Sequence, residues 1–133
     1  MLKLTRKVEY GLMALRHMQR KPGDEVTKAK EIAGMYTIPL PLLAKILQQL
    51  AREGVIEPVQ GPNGGYRILE PLESINLTRF VEILEGPLGL VDCNIAPDCT
   101  QISQCNIRQP IQQVNNTLKT MFDNLTLDQI TGN

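Results

Sequence analysis

Cys93, Cys99 and Cys105 are the three cysteines of the chain, and five residues separate each from the next. An odd set of thiols does not close into disulfide pairs, and thiolates are soft anionic ligands that suit an iron–sulfur cluster, zinc or copper(I). Zinc sites favour short knuckles of two intervening residues, so the longer intervals here count against zinc. Free or redox-active thiols are the alternative reading. The only histidine, His17, falls in a helical pattern and reads as an ordinary helix residue rather than a ligand.

The cysteines sit between two helical patterns. Leu77, Phe80, Val81 and Leu84 share one face of a helix predicted from Leu77 to Glu85, and Gly86-Pro87 then opens an irregular stretch. A last helix is predicted from about Pro110 to Asn124. Its apolar residues Ile111, Val114, Leu118, Met121 and Leu125 fall at steps of three, four, three and four, the seam of a heptad. Such a stripe packs either on the chain's own front half or on a second copy.

The front half is a series of short helices followed by a hairpin. Val8, Leu12, Leu15 and Met18, with Met13 and Ala14 beside them, predict a helix from Thr5 to Gln19, with Thr5 able to cap its first turn. A second helix is predicted from Thr27 to Tyr36, capped by Thr27, with Ala29, Ile32 and Ala33 inward. Thr37-Ile38-Pro39 is a turn, and a third helix runs from Pro41 to Arg52, with proline at its first position. Leu43, Ile46, Leu47 and Leu50 form its buried stripe, which leaves Leu42, Ala44, Lys45, Gln48 and Gln49 for another surface. Val55 to Val59 reads as a strand, Gly61-Pro62-Asn63-Gly64-Gly65 as a hairpin turn, and Tyr66 to Leu69 as the return strand.

Helix, turn, helix and hairpin make a winged helix. Its exposed helix can fill a major groove, and a Gly-rich wing lets backbone approach phosphates or the minor groove. A plain hairpin turn and a solvated helix face are the bland readings of Gly61 to Gly65 and of Lys45, Gln48 and Gln49. The Gly-rich turn lacks the Lys-Ser or Lys-Thr of a nucleotide-binding loop.

The 133 residues carry no net charge, but the charge is divided. Residues 1–72 hold eleven basic and seven acidic side chains, and residues 73–133 hold three basic and seven acidic. A basic front suits nucleic acid, and an acidic back suits a different task. Early charges and no long apolar run argue against a signal peptide or a membrane span and for a cytoplasmic protein. No Cys-x2-Cys redox pair, dinucleotide fingerprint or second histidine supports an enzyme. A protein–protein adaptor using the wing and the heptad helix is a further alternative.

On these residues the chain resembles the Rrf-two type of bacterial winged-helix transcription regulators. The resemblance rests on Leu4-Thr-Arg-Lys-Val-Glu-Tyr-Gly-Leu12, on Glu31-Ile-Ala33 followed by Ile38-Pro39 and Leu43-Ala-Lys-Ile-Leu47, on Gly61-Pro-Asn-Gly-Gly-Tyr66, and on the evenly spaced cysteines. It implies a mainly α fold with a small β-hairpin wing. Residues 1–72 would form the winged helix-turn-helix, residues 73–108 a connecting helix and cysteine loop, and residues 109–133 a dimerisation helix and tail.

The resemblance also implies a homodimer on double-stranded operator DNA, joined through Ile111, Val114, Leu118, Met121 and Leu125. Control would come from a 2Fe–2S or 4Fe–4S cluster that senses iron–sulfur status, nitric oxide or redox state, with a cluster-free or zinc- or thiol-based repressor as the alternative. Some relatives take a fourth ligand from a histidine three residues after the third cysteine. Here that position is Arg108, which stays protonated and does not ligate. Others use a carboxylate from the first helix of the partner subunit, which corresponds to Glu9; pairing of Glu9 with Arg6 or Lys7 is the competing account.

For DNA the expected contacts are Lys45, Gln48 and Gln49, with Pro39, Leu40 and Pro41 at the helix entrance. In the wing they are Gln60, Gly61, Pro62, Asn63, Gly64, Tyr66 and Arg67. Thr5, Lys28 and Arg67 are candidates for phosphate. Many relatives carry arginine where this chain has Gln60, so attraction to a narrow minor groove is expected to be weaker.

Overall fold

The computed structural model describes residues 5–22, 25–86 and 108–132. Its elements run α1 (Arg6–Gln19), α2 (Ala29–Tyr36), α3 (Leu40–Arg52), β1 (Ile56–Val59), β2 (Gly65–Ile68), a 3-10 turn (Leu72–Ser74), α4 (Leu77–Glu85), α5 (Arg108–Asp123) and α6 (Leu127–Thr131). This is the mainly α fold with a two-stranded antiparallel wing that the sequence predicts.

The apolar stripes do what their spacing dictates. Leu43, Ile46, Leu47 and Leu50 of α3 and Leu77, Phe80, Val81 and Leu84 of α4 are all buried in one core with Val8, Ala14, Leu15 and Met18 of α1. The α1 helix packs on α3, α4 and α6. Gly11 makes the α1–α4 crossing close, since a Cβ there would come within 2.8 Å of Phe80 Cζ and 3.1 Å of Leu84 Cδ1. Thr5 caps α1 by accepting from the Val8 N–H at 3.3 Å, as its position predicts.

The start of α2 differs from expectation. Thr27 is not its cap; Lys28 is, and it makes no side-chain capping bond. Thr27 is instead buried and extended, exchanging two 2.8 Å backbone hydrogen bonds with Tyr66 of β2. The reason lies at Gly65, where a Cβ would stand 2.5 Å from the Thr27 carbonyl oxygen, so only glycine admits this third strand-like rung. In the hairpin Ile56 pairs with Ile68, Glu57 with Arg67, Pro58 with Tyr66 and Val59 with Gly65.

Thr37, with φ 55°, ends α2 in the left-handed region and donates its N–H to Ala33. The chain then turns through Ile38 and Pro39 into α3. That helix begins one residue earlier than expected, at Leu40, which puts Pro41 in the second rather than the first position.

The C-terminal end folds back on the core. Leu77 N donates to Leu125 O at 2.8 Å and Leu127 N donates to Ile75 O at 2.9 Å, which staples the entrance of α6 to that of α4. Thr126 and Gln129 form a reciprocal capping box on α6. Gln19 of α1 donates to Asp128 at 3.0 Å and accepts from Thr131 at 2.7 Å. Leu127 is fully buried.

Candidate nucleic-acid interface and sensor elements

Burial of one α3 stripe forces another outward. Pro41, Lys45, Gln48 and Arg52 are exposed at steps of four, three and four along the helix, so they line its outer face. Leu40 at the first position is 38% exposed, and Pro39 before it is exposed as well. Gln49 differs from its expected outward placement. It is half-buried, and its amide oxygen is enclosed without a partner among the described residues. The steps between buried residues on either side of Gln49 turn it toward the flank rather than the outer face. Arg52 takes its place on that face, at the same helical spacing from Gln48 as Lys45 has from Pro41.

The wing presents Gln60, Gly61, Pro62 and Asn63 to solvent, and Gly64 donates its N–H to Gly61 O at 2.9 Å to close the turn. Tyr66 packs its ring against the core. Arg67 hydrogen-bonds through Nε to the carboxylate of Glu57 across the hairpin. A phosphate at Arg67 therefore has to share that guanidinium with Glu57. Lys28 donates from Nζ to Pro62 O at 3.2 Å, so the α2 entrance and the wing tip are brought together.

Two anchors join the first helix to the fourth. Thr5 donates its hydroxyl to Glu85 Oε1 at 2.8 Å, and Lys7 Nζ donates to Leu84 O at 2.9 Å. The carbonyl of Leu84 is left without a helical partner at the end of α4, and an ammonium there also suits the negative end of the helix dipole. At the other end of α4's exposed face, Arg79 bonds the Glu70 carboxylate and donates to Glu53 O at 3.2 Å. One arginine thus ties α4 to the end of α3 and to the segment that follows β2.

Glu9 is exposed on α1, and its carboxylate makes no ion pair or hydrogen bond with the described residues. Lys7, its expected local partner, is engaged by Leu84. Cys93, Cys99 and Cys105 lie outside the described residues, as does the side chain of Arg108. Among the described residues no cluster of three or more metal-ligating side chains occurs, and no helix is long and apolar enough to cross a membrane. On α5, Val114 and Met121 are 54% and 52% exposed, whereas Ile111 and Leu118 are half-buried. Leu125 follows the end of the helix and packs on the chain's own core.

His17 is a hub that spacing alone did not reveal. Its Nδ1 lies 2.9 Å from Tyr36 Oη and its Nε2 2.5 Å from Glu31 Oε2, and its ring meets the Tyr36 ring edge-on at 5.5 Å. Glu31 also pairs with Lys21 at 2.8 Å. Hydrogen bonds from His17 and then Lys21 hold the Glu31 carboxyl below its usual range, and the Glu31 bond raises Lys21. The hub joins α1 to the helix that leads into α3.

Comparison with solved structures gives the same fold. CymR (YrzC) of B. subtilis, described as the global cysteine regulator, superposes with a TM-score of 0.79 at 22% identity, covering 99% of this chain and 98% of that one. The oxidized form of Staphylococcus aureus CymR gives 0.74 at 23% identity over 98% and 96% of the two chains. T. potens IscR gives 0.73 at 22% identity over 97% and 85%. A family model named Rrf2, iron-dependent transcriptional regulator, matches residues 4–133. With the winged helix, the outward α3 face and a match over nearly its whole length, the chain belongs to the Rrf2 family of transcriptional regulators.

Proposed function

We propose that the protein is a homodimeric DNA-binding regulator whose operator affinity is set by an iron–sulfur cluster. The observation that carries the DNA reading is the outward row Pro41, Lys45, Gln48 and Arg52 on α3, which leads directly into a wing whose tip is held by Lys28. Such a face fits a major groove, with the wing beside it on the backbone. A two-fold symmetric site calls for two copies, and the exposed Val114 and Met121 of α5 support a pairing surface.

The donor set suits the cluster. Cys93, Cys99 and Cys105 would supply three thiolates, and Glu9 of the partner subunit, whose carboxylate is exposed and uncommitted, would supply the fourth ligand. A bound cluster would supply an iron–sulfide centre that iron loss, nitric oxide or oxidation can dismantle. The chain's own residues supply the link to DNA. Thr5 and Lys7 hold the start of α1 on the last turn of α4, and Arg79 holds α4 on the end of α3. A displacement of α1 therefore loads the helix that faces the groove.

A second reading is a thiol-based repressor without a cluster, supported by the likeness to CymR, solved also in an oxidized form. Anaerobic purification followed by iron and sulfide counts and DNA binding separates the two. A coloured protein with stoichiometric iron and sulfide, whose DNA affinity changes on cluster loss, supports the first. A protein that stays colourless after reconstitution and responds to thiol oxidants defeats it in favour of the second.

A further inference from the structure

The flank of α3 beside its outward cations carries a second row. Leu40, Ala44 and Gln48 follow one another at i, i+4 and i+8, which places them in line along the helix. Leu40 is a large apolar side chain, 38% exposed, at the first position of the helix. Ala44 is half-exposed and Gln48 exposed. A single exposed leucine is ordinary. An exposed leucine at the entrance of a groove-facing helix, continued by alanine and glutamine and flanked by Lys45, is a chemically defined surface.

Base edges in the major groove offer one apolar group, the C5-methyl of thymine, and apolar side chains recognise it by contact. A glutamine amide matches the N6 and N7 of adenine, a lysine matches guanine, and a carboxylate accepts from cytosine N4. The α3 sequence from Leu40 to Arg52 contains no carboxylate, and Lys45 is the one cation in its first two turns. In helix-turn-helix proteins the residues nearest the start of the second helix touch the bases.

We infer that Leu40 and Ala44 read thymine methyl groups and Gln48 an adjacent adenine, so that each half-site is built on A·T pairs with Lys45 marking a guanine. The inference rests on the DNA-binding reading above and deepens it to a class of sequence.

The test uses the full chain, both reconstituted with iron and sulfide under anaerobic conditions and cluster-free, to select from a randomised duplex library. Each thymine of the enriched sequence is then replaced by deoxyuridine, which removes the methyl and nothing else. Burial of one methyl corresponds to about a fourfold loss of affinity, expected at one or two neighbouring thymines per half-site. Leu40→Ala should bind thymine and uracil alike at one of these positions, and Leu40→Met, which keeps an apolar contact, should retain the penalty. The inference is overturned if no thymine shows a penalty, or if Leu40→Ala keeps it in full. Failure of both protein forms to enrich any sequence removes the DNA-binding reading itself, and this inference with it.

Discussion

Lys7 Nζ lies 2.9 Å from the Leu84 carbonyl oxygen, so a side chain of the first helix completes the last turn of the fourth. A hydrogen bond from a charged donor is worth about 1.5–3 kcal/mol when shielded, and less at a partly exposed site. Lys7→Met should therefore lower the unfolding free energy by about 1 kcal/mol in urea titration. Hydrogen exchange should quicken at the end of α4 before it quickens in α3.

Gly11→Ala should destabilise the protein although alanine is the better helix former. The gain in propensity is about 1 kcal/mol, but the new methyl would meet Phe80 Cζ at 2.8 Å, and overpacking of this kind costs about 1–3 kcal/mol. A net loss of about 1 kcal/mol is expected. Shortening the facing ring in Gly11→Ala with Phe80→Leu should recover part of the crossing, which thermal denaturation of the four proteins reads as a positive coupling.

The lowered pKa of Glu31 has a consequence in acid. Its carboxyl is depressed in the folded state by His17 and then Lys21, so the unfolded chain takes up the proton first as pH falls. The associated stability is present above the ordinary carboxyl range and is lost as pH drops through the folded value. Wild type should thus exceed Glu31→Gln near neutrality, and the two curves should converge between about pH 5 and pH 3. Curves that run parallel throughout would remove Glu31 from acid unfolding.

Arg52 and Lys45 share a face but differ in position along it. The C-terminal end of a groove-facing helix rides closer to the backbone, so Arg52→Ala should weaken all duplexes alike and reduce the salt slope by about one unit. Lys45→Ala should cost about 1–3 kcal/mol on the selected sequence and relax preference at one base pair. An equal loss across all sequences would assign Lys45 to phosphate as well.

Val114→Glu combined with Met121→Glu should yield a monomer in sedimentation while leaving far-UV circular dichroism unchanged, because both side chains are more than half exposed within one subunit. An unchanged association state would count against α5 as the proposed pairing surface.

Features governed by periodicity were legible in the sequence. The buried stripes of α3 and α4 appear residue for residue because one-sided helices have one way to hide their apolar face. Features governed by backbone pairing were not. Thr27 looked like a helix cap because its side chain suits that role, but the open edge of β2 at Tyr66 and the missing Cβ of Gly65 offered its backbone two hydrogen bonds instead. The His17 hub joins residues from different helices, and no local pattern announces such a meeting. Among the residues expected at DNA, Lys45, Gln48 and the wing tip are exposed, whereas Gln49 is half-buried. Arg52 lies at the helix end, beyond the apolar stripe that marks the opposite face.

The paired backbone bonds between Leu77 and Leu125 and between Ile75 and Leu127 make the intervening chain an excursion that leaves and returns at one place. Its length is then a free variable for evolution, since closing a loop already pinned at both feet costs only about 0.6 kcal/mol for each doubling in length. Insertions between Gly86 and Arg108 should therefore leave the packing of α1, α3 and the wing in place, which thermal denaturation would show as little change. The two feet of the excursion, rather than the length of chain between them, are what the packed helices hold in place.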